Sequence, residues 1–455
     1  MSAHFENALL IIRKLKAAGF SAFIVGGAVR DRELGIDAKD YDIATDAAPD
    51  DIKSLFERVV PVGEKFGVML VIINSHPYEI ARFRTESGYT DGRRPEHVAP
   101  ATVQEDAFRR DFTINALYFD PDTDRVIDYT GGLSDIKNRI IRSVGDACKR
   151  FTEDRLRLLR AVRFAARFDF SIEADTYAAI KDQASEITVI SAERIGAELA
   201  LMMSGPNPGR ALSLLDQSGL LVGILPEIAA LKGVEQPPQF HPEGDVFEHT
   251  RLMLELFGGG ALTLGGGSLT LGLGILLHDV GKPSTKTFSD RIRFHGHDAA
   301  GAGIAAKILS RLRQPKAVIE RVTTLVKNHM RFIPAAEMKE STFRRLIAME
   351  GFNELLELYR LDCLGSFGKL DGYEYVLKRM ERQERELPKP LISGKDLLAQ
   401  GHKSGPNIGK ILDLVKDAQL EGELSERGDA LQWVLKKHPA KKSRGNRKQK
   451  SNLPD

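Results

Sequence analysis

The chain reads as an α+β protein: an N-terminal mixed α/β head followed by a long all-helical body. Short apolar runs within residues 1–145, AFIVGG, YDIAT, GVMLVII and YEIARFR, sit between Gly, Pro, Asn and Asp, as strands do. From about Phe151 strand signals nearly vanish. EDRLRLLRAVRFAARF, ERIGAELALMM and GRALSLLDQSGLL instead place apolar residues three and four apart, the helical period. At 455 residues the chain is too long for one core, and its 42% hydrophobic and 28% charged residues are ordinary for a globular protein.

Punctuation divides the chain further. Residues 1–145 form the head and 146–232 a helical neck. The Pro-rich stretch GVEQPPQFHPEGD (233–245) leads into a histidine-bearing segment, 245–370. LPKPLISGKD (387–396) marks a boundary before a small helical module, 387–435. Residues 436–455 form a tail in which KKHPAKKSRGNRKQK carries eight Lys/Arg and no acid, although the whole chain is only +2. That tail reads equally as a solvated run and as an attraction for a phosphate backbone.

Cys148 and Cys363 are too few for a disulfide framework and neither lies in a CxxC. The N-terminus lacks a secretory apolar core and cleavage site. The most apolar stretch, 252–277, is broken by Glu255 and loaded with glycine. It predicts a helix, a Gly-rich insert (258–268) and a second buried helix rather than a membrane span. The expected location is the cytoplasm, with no membrane partner.

Two clusters carry chemistry. In FIVGGAVRDRELGIDAKDYDIAT (23–45), AFIVGGAVRD predicts strand, glycine turn and helix, a turn that lets backbone amides approach a phosphate. Asp40 and Asp42 are expected on one strand at i and i+2, both on the same face. Side by side they repel, which a shared cation such as Mg²⁺ with substrate phosphates would relieve. An isolated pair of this kind is also consistent with a solvated strand end. Glu79 in YEIARFR supplies a third carboxylate on a later strand, and three such acids can hold metals for in-line phosphoryl transfer.

GG-x-VRD followed by DYD resembles the opening motif of the class II tRNA nucleotidyltransferase and bacterial poly(A) polymerase family, within the DNA polymerase beta superfamily. RRDFTINAL (109–117), DYTGGLSDIKNRIIR (128–142), EDRLRLLRAVRFAARF (153–168) and ERIGAEL (193–199) resemble the family's later motifs in order, and 390–424 its C-terminal module. The resemblance implies a catalytic head with Mg²⁺ on Asp40 and Asp42 and Glu79 as third carboxylate. It places Gly27, Arg30 and Arg110 at the incoming nucleotide, with Arg109 a competitor for the last role and Asp111 as readily structural as catalytic. It makes the neck the site of base selection and RNA binding.

In the fourth motif Asp154, Arg157, Arg160 and Arg163 recur every three residues, which places neighbours on one helix surface. Together with Arg167, these arginines are expected to repel without an anionic ligand. An Asp/Arg pair offers an acceptor and a donor, matching the exocyclic amine and ring nitrogen that cytosine and adenine share. The resemblance implies that Asp154 and Arg157 read these bases, with Arg160 and Arg163 also at the nucleotide. The polar loop RFRTESGYTDGRRPEHV (82–98) resembles one tied in this family to the final A addition, which argues against a CC-only enzyme.

His249, His278-Asp279, His297, His329 and Asp362 form a second constellation, N and O donors suited to a divalent transition metal. Their order resembles the HD phosphohydrolase superfamily; His241 and His295 read as bystanders. The implied function is template-independent addition of C, C and A to the tRNA 3′ end from CTP and ATP, with possible phosphohydrolase activity of the HD domain at a phosphodiester or phosphomonoester. The alternatives are a poly(A) polymerase or A-adding enzyme, and a metal phosphohydrolase whose head only binds RNA.

Overall fold

The computed structural model describes residues 3–63, 67–89, 95–239, 241–258, 268–366, 368–383 and 385–440. The centre of the Gly-rich insert, the DGRR tip of the polar loop and the tail beyond residue 440 lie outside the described residues. The chain forms two compact units, Met1–Lys327 with Gly365–Phe367, and Asn328–Leu364 with Gly368–Asp455.

The first unit opens with α1 (Ala3–Ala17), whose Ala8, Ile11, Ile12 and Leu15 recur at helical spacing and are fully buried. There follow β1 (Ala22–Val25), α2 (Gly27–Glu33), β2 (Asp42–Thr45), α3 (Pro49–Leu55), β3 (Val59–Gly63), β4 (Val68–Ile73) and β5 (His76–Arg82). After β6 (Arg84–Tyr89), β7 (Pro95–Pro100) and α4 (Val103–Phe108) come β8 (Leu117–Asp120), β9 (Arg125–Asp128) and α5 (Gly132–Asn138). Seven strands form one sheet in the order β3-β4-β5-β2-β1-β8-β9, in which only the β2–β5 pair is parallel. Consecutive strands are therefore not always neighbours: β2 joins β5 and β1 joins β8, which brings the glycine turn, the aspartates and Glu79 to the middle of the sheet.

The polar loop is not a plain loop. β6 and β7 pair antiparallel from Arg84↔Pro100 to Tyr89↔Pro95. Arg84 and Arg109 both reach Glu86 Oε1, at 2.6 and 3.4 Å, and Tyr89 donates to the other oxygen at 2.6 Å. This ion-pair cluster stiffens a stretch whose composition alone signals flexibility.

The neck is helical: α6 (Ala147–Glu153), α7 (Leu156–Phe168), α8 (Ala174–Gln183), α9 (Ala192–Met203) and α10 (Pro208–Gln217). Beyond it α11 (Val246–Gly258) and α12 (Leu269–Leu277) flank the insert, as the sequence predicts, followed by α13 (His297–Arg311) and α14 (Lys316–Asn328). The second unit contains α15 (Glu340–Ile347), α16 (Phe352–Gly365), α17 (Asp371–Met380), α18 (Gly394–Ala399), α19 (Pro406–Leu420) and α20 (Arg427–Lys437). Its last three helices share a small core of Leu397, Ile411, Val415, Ala430 and Val434. Among the described residues no helix is long and apolar enough to cross a membrane.

Candidate active site and metal centre

Ile43 of β2 stands opposite Ile80 of β5, and both are fully buried. One residue earlier on each parallel strand, Asp42 and Glu79 share the opposite face. Asp40 does not lie on that strand: β2 begins at Asp42, and Asp40 lies in the irregular chain before it. The expectation of two aspartates on one strand is corrected, but Asp40 still reaches the site electrostatically. Asp42 is open to solvent on one side and walled by protein on the others. That crowding, with Glu79 and Asp40, raises its carboxyl to about 6 against the pull of Arg110. A surplus of negative charge of this kind fits a divalent cation, with oxygen donors suited to Mg²⁺.

The glycine turn stands next to these acids. Gly26 has φ 69°, a region side chains disfavour, and a Cβ there would lie 3.2 Å from Arg110 Nη1. Arg110 is held by Tyr118 Oη at 3.1 Å and Asp106 at 3.2 Å, whereas Arg109 is committed to Asp106 and Glu86. Arg110 is thus the one of the pair that faces the turn. Arg30 is buried; it donates to Asp31 and to Asn115 Oδ1 (2.5 Å) and lies over the rings of Phe164 and Phe168. A cavity of ≈ 600 Å³ is lined by Gly27, Lys39, Asp40, Asp42, Arg163 and Arg167 among others. It joins the carboxylates to the cationic edge of α7. Lys39 stands beside the DYD motif in sequence, yet only the cavity marks it as a site residue.

In the neck the sequence expectation is corrected twice. Asp154 is not on the helix that carries the arginines: it stands between α6 and α7 in an extended conformation. Its own hydrogen bonds go to α9 and to the start of α7. Asp154 Oδ2 accepts from Arg194 at 2.8 Å and Oδ1 from the Leu156 amide at 3.1 Å. Arg157 is held through Nη1 by Glu153 Oε2 and the Arg150 carbonyl, each at 2.9 Å. The arginines also do not wait for an anionic ligand. Arg157 has Glu153, Arg160 has Asp111 (2.5 Å), Arg163 has Glu198 (2.6 Å) and Arg167 has Asp31 (3.6 Å). Asp111 is structural by geometry. Burial pushes its carboxyl up, but Arg160, with hydrogen bonds from Asn115 and the Phe112 amide, brings it down to about 2. Arg194 and Glu198 come from ERIGAEL, and their four-residue spacing on α9 was the available signal for these partnerships.

The histidines of the first unit converge. His249 on α11 is fully buried, and ligand atoms of His249, His278 and Asp279 all lie within 4.8 Å of one another. His278 Nε2 is 3.1 Å and His297 Nε2 3.3 Å from the Asp279 oxygens. Their other ring nitrogens face the Ile275 and Phe294 carbonyls at 2.8 and 2.7 Å, which sets the Nδ1–H tautomer and turns Nε2 inward. Lys282, absent from the sequence-based set, contacts Asp279 at 2.6 Å. His278 and Lys282 hold the Asp279 carboxyl well below its usual range despite its burial. The cluster needs Gly281, where a Cβ would sit 2.2 Å from the His297 carbonyl. His329 opens a 3₁₀ turn (His329–Phe332) and is buried, and Asp362 lies half-buried on α16, both in the second unit. His241, with Glu243 and His249, makes a further group of ligand atoms within 4.8 Å. The N and O donors of His249, His278, Asp279 and His297, with the outer ring nitrogens tied to the Ile275 and Phe294 carbonyls and to Glu243, fit a divalent transition metal.

Residues 22–142 match the poly A polymerase head domain, 169–232 the probable RNA and SrmB-binding site of polymerase A, and 246–364 the HD domain. The CCA-adding enzyme of Pediococcus pentosaceus is 47% identical over 213 residues, 47% of this chain and 54% of that protein. That of Streptococcus sanguinis is 44% identical over 229 residues, 50% and 57% of the two chains. The chain thus spans about half the length of the curated relatives it matches. The solved CCA-adding enzyme of Bacillus stearothermophilus, in complex with CTP, is similar over 96% of this chain and 98% of its own, at 28% identity and a TM-score of 0.72. The Thermotoga maritima CCA-adding enzyme, complexed with tRNA, shares the fold at 20% identity and a TM-score of 0.62.

Proposed function

We propose that the chain is a tRNA nucleotidyltransferase of the poly(A) polymerase family with an HD domain, and that it adds C, C and A in turn to the 3′ end of tRNA from CTP and ATP. The observation that carries this reading is the cavity in which Asp40 and Asp42 face Arg163, Arg167 and Lys39, a carboxylate cluster and a cationic edge around one space. Asp40, Asp42 and Glu79 would hold Mg²⁺, which supplies charge neutralisation to the triphosphate and to the attacking 3′ hydroxyl. Gly26 and Gly27 keep the turn bare for the nucleotide, while Arg110, Arg163, Arg167 and Lys39 bind its phosphates. Arg30 lines the same cavity and would contact the nucleotide, fixed in place by its bond to Asn115 and its position over Phe164 and Phe168.

Base choice falls to Asp154 and Arg157. Each is held by a partner of its own, so the acceptor of one and the donors of the other are presented in fixed relation to an incoming base. Cytosine and adenine both place an amine donor beside a ring-nitrogen acceptor; guanine and uracil present the reverse on that edge. No nucleic-acid template is required. The enzyme works in the cytoplasm, where tRNA, CTP and ATP are found together. The cluster of His249, His278, Asp279 and His297 binds a divalent transition metal and acts on a phosphoester.

The test is extension of tRNA ending at the discriminator base, at C and at CC, with Mg²⁺ and each nucleotide alone or CTP plus ATP. Ordered addition that stops at CCA is expected. Addition of A to the CC-ended tRNA alone would make it an A-adding enzyme, long A tails a poly(A) polymerase, and no incorporation would leave the HD domain as the working part.

A further inference from the structure

Glu243 is the carboxylate that the ligand set of the histidine cluster does not use. It lies six residues before His249, in HPEGD, and its side chain is only 9% exposed. Oε1 lies 2.8 Å from His241 Nδ1 and 2.7 Å from His249 Nδ1, and the two rings are set edge to face with centroids 5.0 Å apart. A carboxylate oxygen only accepts, so both nitrogens donate to it. His249 therefore carries its proton on Nδ1 and keeps a lone pair on Nε2 at the other end of the ring. The His278 ring is 5.4 Å away on that route into the cluster.

Charge separates this carboxylate from Asp279. Asp279 has Lys282 at 2.6 Å, whereas among the described residues no Lys or Arg pairs with Glu243. Its second oxygen, Oε2, is buried without a hydrogen-bond partner. A buried carboxylate with one oxygen unsatisfied is costly unless a cation compensates it.

Resting on the reading of the histidines as a metal centre, we propose that Glu243, steadied by His241, is a positioning residue of that centre: it orients His249 through Nδ1 and supplies the uncompensated negative charge that a divalent cation balances. Outer carboxylates of this kind typically strengthen metal binding 10- to 100-fold.

The experiment titrates the full-length protein with Co²⁺ and follows heat and visible absorption, in a background where Asp40→Asn and Asp42→Asn remove the carboxylate pair of the head. Glu243→Gln should weaken Co²⁺ binding about 10- to 100-fold with absorption bands of unchanged position and intensity, because the coordinating atoms stay the same. Glu243→Asp should recover part of the loss. Co²⁺ affinity within twofold of the parent would overturn the proposal, as would altered bands, which would make Glu243 a direct ligand. If Glu243→Gln fails to fold, His241→Ala, at a partly exposed ring, decides by the same criteria. A parent that binds no Co²⁺ would overturn the metal reading itself, and the inference with it. A parent that binds normally beside an unaffected Glu243→Gln would overturn the inference alone.

Discussion

The two candidate metal sites of this chain are built on opposite plans. In the head, Asp40 and Asp42 line an open cavity, and crowding with the like charge of Glu79 and Asp40 pushes Asp42 up to about 6. Around His249, His278, Asp279 and His297 nearly everything is buried, and the far nitrogen of each ring is already tied to a carbonyl or a carboxylate. The difference matches what each would have to do under the proposed function. A site that exchanges a nucleotide at every step must leave room for substrate oxygens to complete the cation's shell, so its acids are held apart from permanent partners. A site that keeps its metal between turnovers benefits from ligands locked in advance by an outer layer of hydrogen bonds.

The contrast breaks most visibly on single carboxylates. Asp42→Asn should lower nucleotide addition about 10³-fold, equivalent to about 4 kcal/mol of transition-state stabilisation. Co²⁺ binding at the histidine cluster should stay unchanged in that variant. The reciprocal variant, His278→Ala, should abolish that metal binding and leave CCA addition within severalfold of the parent. Extension assays and metal titrations on the same two proteins check both, and loss of both properties in either variant would dissolve the distinction.

A smaller effect sharpens the structural side. Arg160→Ala leaves the half-buried Asp111 beside Asn115 without its salt-bridge partner, and should cost about 3 kcal/mol in denaturant unfolding. Because Asp111 is depressed to about 2, its contribution is present above the unfolded value of 3.8 and is lost as pH falls through about 2. The acid limb of the stability profile should therefore be shallower in Arg160→Ala. The smallest effect has the opposite sign. Asp42 is raised in the folded state, so its contribution is intact below pH 3.8 and is lost as pH rises through about 6. At pH 8 without divalent cations, Asp42→Asn should stabilise the protein by about 1 kcal/mol once solvent screening is counted, and Mg²⁺ should stabilise the parent but not the variant.

Much of this was legible in the sequence, and the limits are instructive. The strand–turn–helix at AFIVGGAVRD, the alternation that puts Glu79 on the face of Asp42, and the two helices flanking the Gly-rich insert all follow from local periodicity. The partnerships do not. Asp154 bonds to Arg194, forty residues on, rather than to Arg157, three residues on, because the chain leaves the helical conformation between α6 and α7. Spacing rules apply only inside one helix. The repulsion expected among Arg157, Arg160, Arg163 and Arg167 is offset by carboxylates that arrive from elsewhere: Glu153 from α6, Asp111 from the chain after α4, Glu198 from α9 and Asp31 from α2. Glu243 carries no signal in the sequence for a similar reason: its neighbours are Pro242 and Gly244, and only the turn before α11 delivers it to His249. Residue types that carry chemistry are read from sequence; which of them are neutralised, and by what, is decided by packing.

The central claim is that the protein itself chooses the base. Its most direct test is single-nucleotide incorporation on CC-ended tRNA by the parent and by Asp154→Ala, with ATP, CTP, GTP and UTP compared as kcat/KM. The account predicts that Asp154→Ala loses about 10- to 100-fold of its preference for ATP over GTP, the effect of one good base-edge contact, while Mg²⁺ binding at Asp40 and Asp42 is retained. Unchanged selectivity in a variant that still incorporates nucleotide would contradict it, and would move the choice of base away from the neck.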